Sequence, residues 1–202
     1  MTTHLLGRKT HRDGPDLSLG PDIDLPLARL HEACGAARRI FALWLAYRLE
    51  GPVFWISPRW LPEQLHPEGV VPFIEPERLI LVKADKPEDL LACMEESLRA
   101  GHVPLVVADI PAPPSLTAVR RLHLAAETGA EATRAAPLGV ILTPGEGGAM
   151  GVEARWRMEP RFDPDTPSWE LTRLRARTAP VKRWKVSGLV QAPRFDPMPA
   201  PG

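Results

Sequence analysis

The sequence predicts an α/β fold on a mainly parallel sheet, and three observations carry that prediction. Short, continuous apolar runs alternate with segments of helical periodicity. The runs lack the in/out alternation of half-exposed strands, as strands covered on both faces do. From residue 152 the pattern changes to apolar/basic alternation with period two, which predicts antiparallel strands extending the sheet.

The elements follow in order. Residues 1–24 carry scattered charges and Gly-Pro turns without periodicity and predict a mobile tail. ARLHEAC (28–34) predicts a first strand, and Ala36–Leu49 a helix ended by Gly51-Pro52. That helix is apolar nearly all round (Ile40, Phe41, Leu43, Trp44, Leu45, Tyr47, Leu49), which implies burial. VFWI (53–56) and LILV (79–82) predict strands joined by a proline-rich connection. KPEDLLACMEESLRAG predicts a helix with Pro87 at its first position, Glu88 and Asp89 at its positive end and Gly101 at its stop. PLVVADI (104–110) is the next strand, Ser115–Glu127 the next helix, closed by Gly129, and GVIL (139–142) the strand after it. VEARWRM, SWELTRLRAR and KRWKV predict the antiparallel extension, and residues 189–202 a second tail. One domain over 25–188 results.

Composition excludes more than it selects. Among 202 residues Lys+Arg and Asp+Glu balance at 25 each, so global charge names no partner. The two cysteines, Cys34 and Cys93, are far apart and suit a reduced interior. The N-terminus lacks the apolar core of about 7–15 residues that a signal peptide needs, and no run approaches the ~20 residues of a membrane span. A cytoplasmic protein without membrane contact is expected.

The segment LHEACGAARRIF places a glycine turn between strand and helix, where many proteins hold phosphate. A P-loop needs G-x-x-x-x-G-K-[ST]. Counting from Gly35, its second glycine, lysine and hydroxyl positions hold Ile40, Phe41 and Ala42. Arg38 and Arg39 leave an anion site as the alternative to an architectural turn with solvated arginines, and the turn is the favoured reading. Asp109 ends LVVAD, where a magnesium-holding acid would stand, but without lysine or hydroxyl upstream its role is read as structural. No cofactor is expected. The histidines show no HxxxH or HExxH spacing, so no metal site is read. No serine lies in a G-x-S-x-G elbow. Cys34, near His31, is read as a packed thiol. TPGEGGAMG (143–151) joins two strands and is read as a flexible loop.

The strongest local signal is basic. Arg173, Arg175, Arg177, Lys182, Arg183 and Lys185 run without an acid among them, with Trp184 interleaved, and Arg155 and Arg157 flank Trp156. Period two would project Arg173, Arg175 and Arg177 from one face. A nucleic-acid backbone with base stacking fits this pattern, as do a solvated face and an acidic protein partner. QAPRF (191–195) weakly resembles sliding-clamp-binding pentapeptides but lacks their central leucine.

The order of these segments resembles the RecA-type recombinase core. LHEACG, RLILVKADKPEDLLACMEESLRAG, RRLHLAAETGA and ARWRMEP…WELTRLRAR are similar, more closely, to the ImuA family. Those RecA-like accessory proteins of bacterial mutagenesis cassettes sometimes carry SulA-like names. The resemblance spans roughly 25–186 and implies a three-layer RecA-like fold with a degenerate P-loop. It implies an SOS-response role in translesion DNA synthesis beside an ImuB-like protein and a DnaE-type error-prone polymerase. RecA and single-stranded DNA are further candidate partners. Gly145–Gly151 falls where RecA-type proteins place a DNA-contacting loop. The catalytic glutamate of that family has no counterpart in WISPRW, so a pseudo-ATPase is expected. The competing readings are a divergent nucleotide-binding ATPase or switch, and a protein-only scaffold or cell-division inhibitor.

Overall fold

The computed structural model describes residues 14–133, 135–188 and 190–199. Its strands are β1 (Asp16–Gly20), β2 (Ile23–Pro26), β3 (Leu30–Cys34), β4 (Val53–Pro58), β5 (Leu79–Ala84), β6 (Leu105–Asp109), β7 (Leu138–Leu142), β8 (Ala154–Arg161), β9 (Ser168–Ala176), β10 (Lys182–Ser187) and β11 (Arg194–Met198). The helices are α1 (Arg38–Arg48), α2 (Pro67–Val70), α3 (Pro87–Ala100) and α4 (Leu116–Thr133).

One sheet runs β11-β10-β9-β8-β3-β7-β6-β4-β5. The strands from β8 to β5 pair in parallel, and β8 through β11 pair antiparallel. The chain is therefore α/β with a mixed sheet. β8, expected to be antiparallel, lies parallel to β3 because the chain crosses over before the hairpins begin. Buried strands β3, β6 and β7 explain the unbroken apolar runs: every residue in them is buried.

Helix α1 packs on one face, putting Phe41 and Trp44 with Trp55, Trp156 and Trp184 in one core. Helices α3 and α4 cover the other face, with Leu90, Met94, Leu98, Val119 and Leu122 against Ile56, Val106 and Ile141. Pro87 opens α3, and Gly101 ends it at a φ of 70°. Gly129 does not close α4, which runs on to Thr133. A Cβ on Gly129 would lie 2.1 Å from the Leu98 carbonyl oxygen, so this glycine lets α3 and α4 touch.

The expected tails need correction. Most of the described part of the N-terminal one, with residues 25–26 beyond it, forms an antiparallel hairpin of β1 and β2. Its alternating Leu17, Leu19, Ile23 and Leu25 are buried in the α1-side core. At the other end β11 pairs with β10, and the Phe195 ring stands edge-on to Trp44 at 6.0 Å. Residues 1–13, 189 and 200–202 of those tails lie outside the described residues. In LILV, Ile80 and Leu81 are exposed because β5 is the outer strand. No helix among the described residues is long and apolar enough to cross a membrane.

Among the described residues, buried His31 is a pH-sensitive group that affects folding. His31, fully buried on β3, donates from Nε2 to the Pro26 carbonyl at 2.9 Å. Burial pushes its imidazole from 6.5 down to about 4. Between those values the unfolded chain takes up a proton that the folded chain refuses. Its contribution is therefore complete above pH 6.5 and lost as pH falls toward about 4. The predicted loss is on the order of 3 kcal/mol. Urea unfolding across that range checks it: His31→Gln should flatten the slope, and an unchanged slope would exclude His31 as its source.

Candidate functional site

The glycine turn, the two arginines and the acid meet at the carboxyl ends of β3 and β6, where ligands dock in open α/β sheets. Gly35 has a φ of 88°, and a Cβ there would lie 2.5 Å from the Met158 carbonyl oxygen, so only glycine turns the chain into α1. Helix α1 has no side-chain cap and no acid in its first turn. Arg38 and Arg39 instead bring positive charge to a positive helix end.

Asp109 resolves that conflict. Arg39 donates from Nε to Asp109 Oδ2 at 2.7 Å, and Arg38 Nη2 stands 3.7 Å from Oδ1. Arg39 also reaches Glu63 at 3.1 Å, and Arg38 Nη1 donates to the Gly35 carbonyl at 3.2 Å. Burial alone would lower the Arg39 pKa, but the Asp109 and Glu63 carboxylates together outweigh it and the value is raised. The arginines are thus tied down, which corrects the expectation that they are solvated. In P-loop NTPases this corner belongs to a phosphate-bound lysine and a magnesium-holding acid. Here an internal ion pair uses the acid, and the cation is already committed.

The glycine-rich loop is also built differently from the expectation. Glu32, central in β3 and fully buried, accepts from Thr143 Oγ1 at 2.7 Å, Gly148 N at 2.9 Å and Ala149 N at 3.1 Å. Arg155 donates to its other oxygen at 2.5 Å and to the Ala149 carbonyl at 2.9 Å. A buried carboxylate with this many donors pins residues 143–149 to the sheet, so this part of the loop is held rather than free. Sequence reasoning missed Glu32, although a lone acid inside a buried strand always calls for donors.

The basic strands do not form one surface. A register shift opposite Arg155 and Trp156 pairs Arg155 with Arg175 but Trp156 with Arg173, so Arg173 and Arg175 leave opposite faces. Arg173, Lys182, Trp156 and Trp184 point toward the α1 side. Trp156 and Trp184 are fully buried, with ring centroids 6.1 Å apart, and the Arg173 guanidinium lies 5.6 Å and 5.4 Å from them. Arg173 also donates to the Asp22 and Pro180 carbonyls. The tryptophans therefore belong to the core and offer no ring to a base, which corrects the stacking expectation.

On the opposite face Arg157 pairs with Glu146, Arg183 with Glu170, and Lys185 with Asp163. Arg177 reaches Glu153 at 3.7 Å. Acids outside the run, Glu170 immediately before its start included, thus answer a run that looked unbalanced in sequence. QAPRF is engaged as well: the Gln191 side chain donates to the Pro72 carbonyl at 3.0 Å, and its backbone carbonyl accepts from the Tyr47 hydroxyl at 3.4 Å.

No family model and no curated protein matches the chain. Its chemistry must be judged from its own groups. Among the described residues no cluster of three or more His, Cys, Asp or Glu could hold a metal. Burial pushes the Cys34 thiol up to about 12, far from a reactive thiolate. Sequence reasoning also passed over Lys83, whose Nζ donates to Ser57 Oγ at 2.9 Å beside the Arg39–Asp109 pair.

The loop anchor predicts a measurable effect. Glu32→Gln leaves Arg155 without its carboxylate and should cost about 3 kcal/mol. Amide exchange at Gly148 and Ala149 should accelerate more than exchange in α3. Unaltered protection at those two amides would show that Glu32 does not hold the loop.

Proposed function

We propose that this chain is a catalytically inactive RecA-like accessory protein of the ImuA type. It acts as an adaptor that positions an error-prone polymerase complex during translesion DNA synthesis in the SOS response. The observation that carries this reading is the Arg39–Asp109 ion pair, 2.7 Å long, at the strand-end corner where a nucleotide-hydrolysing relative would use a lysine and magnesium. The resemblance of segment order supplies the biological setting. In support of it, β3 lies at the centre of the sheet, a glycine turn leads from it into α1, and β6, separated from β3 by β7, ends in Asp109.

The adaptor reading stands ahead of the nucleotide switch because a switch needs differential contacts to the bound phosphate. Ile40, Phe41 and Ala42 provide neither the ammonium nor the hydroxyl for those contacts. Protein contacts, with an ImuB-like protein and a DnaE-type polymerase as partners, stand ahead of direct DNA binding. Trp156 and Trp184 are buried, and most of the basic side chains already have acids.

Reconstitution tests the proposal. Mixed with an ImuB-type protein and a DnaE-type polymerase, the full chain should co-elute on size exclusion. It should not bind a labelled ~30-nucleotide single strand at ~50 mM salt, where phosphate contacts are strongest. Separate elution from both proteins would refute the adaptor role, and tight, salt-sensitive strand binding would return direct DNA contact to first place.

A further inference from the structure

An adaptor needs a surface that its own chain leaves unsatisfied, and the outer strand β5 provides one. It pairs only with β4, so its far edge has no strand neighbour among the described residues. Its LILV run should be buried, yet Ile80 is 43% and Leu81 50% exposed. Leu81 and Lys83 share the α1-side face with Trp55 and Ser57 through the β4 register. With Leu65 they line a shallow cleft that reaches Arg39 and Asp109.

The charges in that cleft are unevenly served. Arg39 is answered by Asp109 and Glu63. Lys83 is half-buried, and its one hydrogen bond among the described residues is to the neutral Ser57 hydroxyl. An ammonium has three donors, so two remain for an outside acceptor. Ser57 is itself only 8% exposed, which holds Lys83 in place rather than leaving it to wander.

We propose that this cleft docks an extended segment of a partner protein, with an Asp or Glu side chain on Lys83 and a neighbouring apolar side chain against Leu81 and Leu65. The proposal rests on the adaptor reading and gives it a location. The free edge of β5 would pair with the segment's backbone, while alternate side chains supply specificity. A polyphosphate chain fits less well than a single carboxylate, because Arg39 is already answered by Asp109 and Glu63 and only Lys83 among the cleft's described cations is left to meet several charges. A second copy docking edge to edge fits poorly too, since β5, Leu79–Ala84, carries no acid to meet Lys83.

Selection of displayed ~8-residue peptides on the full-length protein tests this, with strand-length peptides matching the mode of recognition. Recovered peptides should carry Asp or Glu beside an aliphatic or aromatic residue. They should bind Lys83→Met about tenfold more weakly, and an Asp→Asn peptide should show no further loss on that variant, as a shared contact requires. Leu81→Ala should weaken binding independently of the peptide's charge, and thermal melting should show both variants folded. Peptides without an acid, affinity unchanged by Lys83→Met, no recovered peptide, or displacement by single-stranded DNA would each overturn the cleft assignment. The reconstituted complex separates the two readings: assembly at equal affinity with Lys83→Met removes the cleft alone, whereas no assembly with the unaltered chain removes the adaptor role.

Discussion

A carboxylate at the end of a buried strand must be neutralised, and in this chain Arg39 does so from the first turn of α1. The pair reconciles two placements that are unfavourable alone. Asp109 is 4% exposed, too buried to stand as a free anion. Arg38 and Arg39 sit at a helix end whose dipole repels cations. Joined, they fix α1 across β6 and let its Phe41–Ala46 stretch, fully apolar, pack on the sheet. The same ion pair occupies both Arg39 and Asp109.

Charge is handled in the same way elsewhere. Glu32 and Arg155 hold the glycine-rich loop, and Arg173 lies over two buried indoles while its donors reach backbone carbonyls. Arginine suits such positions because its planar guanidinium stacks and bonds at once. Residues that look like a ligand surface in sequence thus serve as internal connections. At the opposite edge, on β5, Ile80 and Leu81 are exposed, and the one hydrogen bond of Lys83 among the described residues goes to a neutral hydroxyl.

The parallel core was legible because fully buried strands and a one-faced helix such as α3 leave periodic signals. The β1–β2 hairpin was missed although Leu17, Leu19, Ile23 and Leu25 alternate. Gly20-Pro21 broke the run, and four-to-five-residue strands on a surface layer carry little pattern. The candidate site was legible in part. Gly35, Arg38, Arg39 and Asp109 were singled out, but not that the arginines would close on the acid, since residues 70 apart meet only through the fold. The basic strands misled for the opposite reason. Period-two counting assumes an unbroken register, and the shift between Arg155 and Trp156 turns Arg173 inward. The answering acids, Glu146, Asp163 and Glu170, come from outside the run.

Calorimetric titration of the full chain with magnesium-ATP tests the central claim most directly. A corner filled by its own ion pair predicts no saturable heat up to ~1 mM nucleotide, a concentration at which even a weak site of −4 kcal/mol would register. Saturable binding tighter than ~100 μM would contradict it, and would mean that the Arg39–Asp109 pair opens to phosphate rather than replacing it.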